Sequence, residues 1–221
     1  EVAMTTWIQT IGVLASVVLV VSACAGGEDA TQLAEHGLTR QDDGSFLLRS
    51  LPFEVPAGEE TFICYAHTLT HDVVLGSMAY TAKPVIHHLL LAKATAPEPE
   101  GLSACNVLFK TTWMPLFGAG SGDASVTVPP GAGHKLRAGT QILLQLHLLN
   151  PNQKDTVDVA EITIEAAVGE DARSVGLVPF GQPTLTLPPR SKSTVTQTCT
   201  MVERAEIFAA LPHMHYLGKS Y

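Results

Sequence analysis

Short apolar runs with alternating character recur along the chain, at 61–65, 73–78, 85–92, 125–128, 141–149, 159–168, 194–201 and 205–211. Turn-forming clusters separate them: Pro56-Ala57-Gly58, Pro97-Glu98-Pro99-Glu100-Gly101, Pro129-Pro130-Gly131, Asn150-Pro151-Asn152 and Pro188-Pro189. Many short strands punctuated by Gly and Pro at such spacing predict sheets packed face to face. No segment sustains a 3.6-residue period, and no internal repeat is present. The expected fold is all-β: a jelly-roll or Greek-key β-sandwich over 46–170, followed by the start of a second sandwich over 171–221. Within 141–149, Ile142, Leu144, Leu146 and Leu148 fall on one strand face, and Leu143, Gln145, His147 and Leu149 on the other.

Composition narrows the class. In 221 residues, 13 Lys and Arg stand against 21 Asp and Glu, a net charge of −8, with 46% hydrophobic residues. That is too apolar for disorder, and an acidic surface is a poor reader of phosphates. Nucleic acid is excluded as a partner, as are a collagen, a coiled coil and a polytopic membrane protein.

The first 23 residues hold an uncharged stretch from Trp7 to Ala23, with the apolar block 13–21 at its centre. This is the length of a secretion signal's apolar region and is short for a spanning helix. Val21-Ser22-Ala23-Cys24 followed by Ala25-Gly26-Gly27 resembles the lipobox of bacterial lipoproteins, which implies that Cys24 carries the lipid and becomes the first mature residue. An uncleaved signal anchor or a plain cleaved signal peptide leads to the same placement, with residues 24 onward outside the cytoplasm. Residues 24–45 are polar and read as a tether. Setting Cys24 aside leaves Cys64, Cys105 and Cys199, an odd number for an oxidising compartment. The final Gly218-Lys219-Ser220-Tyr221 lacks a polar tail, and the sequence reads as a fragment.

Nine histidines are many for so weakly charged a chain. His147 lies on the mixed face of its strand. His87 and His88 are adjacent, so a regular strand sends them to opposite faces, and both reach one ion only at a strand end or a bulge, or by using different ring nitrogens. His213 and His215 are two apart, and on a strand they share a face. The set is nitrogen-rich and suits copper or zinc, and spacing does not choose between them.

Taken in order, Thr61-Phe62-Ile63-Cys64, His87-His88, Gln145-Leu146-His147 with Asn150-Pro151, and Phe208-Ala209-Ala210-Leu211-Pro212-His213-Met214-His215 with Leu217-Gly218-Lys219 resemble the copper type II, ascorbate-dependent monooxygenases. This is the family of dopamine β-monooxygenase and peptidylglycine α-hydroxylating monooxygenase, and the resemblance spans about residues 50–221. It implies two jelly-roll domains, each with one copper. His87, His88 and His147 correspond to the ligands of the electron-supplying copper. His213 and His215 correspond to two of three ligands of the oxygen-binding copper, the third being a methionine farther downstream than this chain reaches. Met214, between two histidines, points away from their shared face. The resemblance also implies a Cys64–Cys105 disulfide and a downstream partner for Cys199. His36, His67, His71 and His134 match no family ligand and read as surface or hydrogen-bonding residues; the alternative for His67 and His71 is support of the first metal's ligands.

The implied activity is hydroxylation of a C–H bond in a small organic substrate with O2 and ascorbate, on a protein lipid-anchored to a bacterial membrane. The fragment alone is expected to bind one copper well and to turn over little. Leu211 stands where the peptide-amidating branch carries a carboxylate-binding arginine, which disfavours a peptidylglycine substrate. The alternative is a non-catalytic, lipid-anchored copper-binding protein, which needs only His87, His88 and His147.

Overall fold

The computed structural model describes residues 35–105, 110–167, 171–178, 180 and 186–211, within the unit Glu35–Tyr221. Among the described residues all regular structure is strand. Cys24, His213, Met214 and His215 lie outside them.

Two sheets carry the architecture. The first, seven-stranded, contains β1 (Gly37–Arg40), β2 (Phe46–Arg49), β5 (Val73–Tyr80), β9 (Ala124–Val126), β10 (Ala132–Leu136), β13 (Glu161–Ala166) and β14 (Arg173–Ser174). Its order is β1-β2-β13-β5-β10-β14, with β9 also paired to β5. The second, wholly antiparallel, contains β4 (Glu60–Thr68), β6 (Ile86–Ala94), β7 (Gly101–Ala104), β8 (Trp113–Ala119) and β11 (Gln141–Leu149) in the order β7-β4-β11-β6-β8. A small ribbon pairs β3 (Phe53–Val55) with β12 (Thr156–Asp158).

The sheets are held face to face by one apolar core. Leu48, Leu75, Met78, Ile162 and Ile164 from the first sheet pack with Leu89, Leu91, Ile142, Leu144, Leu146 and Leu148 from the second. This is the β-sandwich that the alternation predicts, and the even-numbered residues of β11 all point into it. Residues of the opposite β11 face split: Leu143 joins a second cluster with Cys64, Ala66, Ala92, Cys105 and Trp113, while Gln145 and His147 continue along the same face. As the central strand, β11 has neighbours on both edges and cover on both faces, so eight of its nine residues are at least partly sheltered.

The Cys64–Cys105 disulfide is present and closes a separation of 41 residues. Loop closure of this length stabilises by about 4 kcal/mol in the chain-entropy account. Cys199 is free and exposed.

Three sequence expectations change. The stretch read as a tether over 24–45 contributes β1, whose residues pair in register with β2 from Gly37↔Arg49 to Arg40↔Phe46, so the ordered sandwich begins before residue 46. At the other end, β14 pairs with β10 through Ala132↔Arg173 and Gly133↔Ser174, which carries the first sheet past residue 170. The runs 194–201 and 205–211 form no strand, and no strand among the described residues pairs with them. Alternation predicts which face a strand hides; pairing decides whether the strand exists. Conversely, β8 escaped the sequence reading because it contains Pro115, which is tolerated on an edge strand where the β6–β8 register shifts between Leu91 and Ala92.

Candidate metal centre

The centre of the second sheet brings three histidines together. His147 on β11 lies directly opposite His88 on β6, and the next partners are Leu148↔Ile86, so His87 is the extra residue of a β-bulge. The bulge cancels the alternation that would send adjacent side chains to opposite faces. Both rings of the His87-His88 pair therefore reach the His147 side. Pairing resumes at once, with Leu149 N–H donating to the Val85 carbonyl at 2.9 Å, and a turn closed by Ile86 N–H on the Lys83 carbonyl precedes the bulge.

The nitrogens converge. His147 Nδ1 lies 3.2 Å from His87 Nδ1 and 3.1 Å from His88 Nδ1, and one ligand atom from each residue falls within 4.8 Å of the others. An ion about 2.0–2.1 Å from each imidazole nitrogen sets tetrahedral neighbours roughly 3.3 Å apart, so the donor set fits one first-row ion with little movement. The ring planes cross at 60–78° along the two contacts of His147, as separate ligands around one point require.

Two residues that the sequence reading missed fix His147. Glu60 on β4 lies diagonally across from it, and Glu60 Oε1 accepts a hydrogen bond from His147 Nε2 at 2.7 Å. A carboxylate only accepts, so Nε2 carries the proton and Nδ1 turns its lone pair toward His87 and His88. Such a carboxylate behind a ligating imidazole orients the ring and raises its basicity. Phe62, directly opposite His147 on β4, stacks on the ring with centroids 4.2 Å apart and planes 5° from parallel. The two residues share a face because they are two apart on β4. Pairing 60–68 with 141–149 would have found them, but no motif in the sequence marks that register.

Exposure is graded across the trio. His147 is buried, His88 intermediate and His87 exposed. Buried Asn150 fixes the exit of β11, its Nδ2 donating to the Val55 and Lys154 carbonyls at 2.9 Å each.

The remaining described histidines stand elsewhere. His67 pairs with Ile142, five residues along β11 from His147, and meets Glu100 at 3.6 Å; burial holds its pKa below the usual value of 6.5, against the pull of Glu100. His71 contacts Thr70 Oγ1 at 2.8 Å, beyond the same end of β4. His67 and His71 are thus polar-contact residues, as the sequence reading has them, and the alternative of a role behind the metal ligands falls, because they lie at the opposite end of the strands. His36 Nδ1 lies 3.3 Å from the Tyr65 hydroxyl, whose pKa burial and the Glu100 charge push up to about 12. His134 is buried on β10, with its pKa lowered by burial against a hydrogen bond to the Val175 backbone.

No protein-family model matches the chain, and no curated protein matches it.

Proposed function

We propose that this chain carries the electron-supplying copper site of an ascorbate-dependent copper monooxygenase, held outside the cytoplasm by a lipid on Cys24. The observation that carries the reading is the convergence of His87, His88 and His147 on one point, with Glu60 orienting the buried member. Copper supplies one-electron chemistry when bound there. The protein's own residues set the conditions: Glu60 takes the Nε2 side of His147 and so leaves Nδ1 as the ligand nitrogen, Phe62 holds the ring's plane, and the bulge at His87 places the third nitrogen. An all-imidazole donor set suits copper among the first-row ions. The disulfide fits an oxidising compartment. The oxygen-binding centre of this proposal rests on His213 and His215. Its substrate is a small organic molecule hydroxylated at C–H by O2.

The test has two stages. Copper(II) titration followed by electron paramagnetic resonance should give one tight site with hyperfine structure from three nitrogens, absent in His147→Ala and erased by ascorbate; a spectrum without nitrogen coupling overturns the metal reading. The intact gene product should then consume O2 in step with hydroxylated product, and tight copper binding without any such product overturns the oxygenase reading.

The exposure of His87 favours a second reading, a copper carrier that hands its ion on through the accessible ligand. A carrier loses copper quickly to a competing chelator, whereas an electron-transfer site retains it through repeated cycles of reduction.

A further inference from the structure

His147 is held by Glu60 and Phe62, whereas the exposed His87 owes its place to the backbone that delivers it. That backbone leaves the turn Lys83-Pro84-Val85-Ile86, where the chain crosses from β5 of the first sheet to β6 of the second. Pro84 stands at the second position of the turn, which its fixed φ suits, and the Ile86 N–H closes the turn on the Lys83 carbonyl at 3.2 Å. Counted from Lys83, the fourth residue opens β6 and the fifth is the bulged His87. Three contacts fasten the start of this count. Lys83 Nζ meets Glu161 Oε2 on β13 at 2.9 Å, the Lys83 N–H donates to the hydroxyl of buried Tyr80 on β5 at 3.1 Å, and the Ala82 N–H donates to Asp123 Oδ1 at 2.8 Å. Arg49 on β2 takes the other Glu161 oxygen at 3.1 Å.

We infer that Lys83 is a positioning residue of the metal centre: its ion pair with Glu161 clamps the turn, and the clamp keeps the extra residue of the bulge at His87. The inference rests on His87 being a metal ligand, as in the copper reading above, and adds what holds it there. A bulge is a choice of which residue goes unpaired, and the positions next to it compete for that role. A shift of one residue turns the His87 ring to the opposite face and leaves two nitrogens at the site. The two ends of the bulged stretch set the choice. On the β11 side, the Leu149 N–H holds the Val85 carbonyl at 2.9 Å. On the first-sheet side, the Lys83 and Glu161 side chains are only 25% and 29% exposed, so their attraction is screened less than that of a surface pair.

The test counts nitrogens rather than turnovers. Lys83→Gln should lower copper(II) affinity about tenfold, the low end for a residue that orients a ligand, and reduce the hyperfine pattern from three nitrogens to two. Lys83→Arg, which keeps a cation within reach of Glu161, should restore three. Arg49→Gln removes the other cation of the same carboxylate and leaves the Lys83 contact in place. It should cost similar thermal stability with affinity and nitrogen count unaltered, a separation that a merely structural role for Lys83 does not produce. In metal-free protein, nuclear Overhauser contacts between the His87 and His147 rings should weaken in Lys83→Gln and persist in Arg49→Gln. Three nitrogens at full affinity in Lys83→Gln, or equal losses in both variants, overturn the proposal. A wild-type spectrum without nitrogen coupling would sink the copper reading alone, because the metal-free ring contacts still decide the clamp.

Discussion

The two ends of the β4–β11 strand pair are built from similar residues and do different things. At one end, His147, His88 and His87 meet with Glu60 and Phe62; at the other, His67, His36, Tyr65, Glu100 and Gln141 meet. Both have imidazoles and a carboxylate. At the first end the ring nitrogens face one another and the carboxylate stands behind one of them. At the second, Glu100 lies among the donors, accepting from Thr68 N–H at 2.9 Å, Thr68 Oγ1 at 2.7 Å and Gln141 Nε2 at 3.1 Å, and its pKa is lowered although burial pushes it upward. Gly37 packs directly over the His67 ring. The second end is a latch that ties β1, β4 and β11 together. The first gathers three ring nitrogens around one point. The difference teaches that histidine content does not by itself make a candidate metal site; here a one-residue bulge and a carboxylate on the far side of the ring assemble one.

The largest effect should come from removing the bulge. Deleting His87 makes the β6–β11 pairing continuous, with His88↔147 followed by Ile86↔148, so the fold should persist while tight copper binding is lost. Thermal unfolding and copper titration on the same sample check both halves, and retained tight binding would show that two histidines suffice. Next, Glu60→Gln should weaken copper binding roughly 10–100-fold, the usual effect of losing a residue behind a ligand. His67→Gln, at the latch, should leave copper affinity unchanged. Competition titrations that showed equal losses in both would erase the contrast between the ends.

A smaller effect is expected from Gly37→Ala. Gly37 has φ +93°, and a Cβ there would lie 2.6 Å from the His67 ring. A side chain in left-handed backbone costs about 1–2 kcal/mol, and the clash adds to it. Denaturant unfolding should show this loss with copper affinity unaltered.

The smallest effect is a pH slope. His67 and His134 both have pKa values lowered from 6.5, chiefly by burial. The folded state therefore takes up protons less readily than the unfolded state, so their contribution is complete above about pH 6.5 and declines as pH falls toward the depressed folded values. Replacing both with Gln should flatten that part of the stability profile, and an unchanged slope would assign it to other groups.

Much of this was legible beforehand. The strands at β4, β5, β6, β11 and β13 follow from local alternation, as does the assignment of Ile142, Leu144, Leu146 and Leu148 to the core. The same two-residue period left His87-His88 a choice among a strand end, a bulge and different ring nitrogens, and pairing chose the bulge. Neither Glu60 nor Phe62 was legible, because their relation to His147 is a matter of register between segments more than eighty residues apart. The distance of His67 from the trio was not legible either: five residues along a strand is a short step in sequence and roughly 17 Å in space.

What the order of residues determined by itself is whatever depends on neighbours along the chain: the all-β class, the buried face of each long strand, the turns, and the chemical type of the donors. Tertiary structure alone decided which strands lie side by side, and hence which imidazoles meet, which carboxylate holds them, and which apolar runs remain unpaired. Side-chain direction repeats every two residues and is a local property, whereas a hydrogen-bonded ladder needs a second strand that no local rule can name.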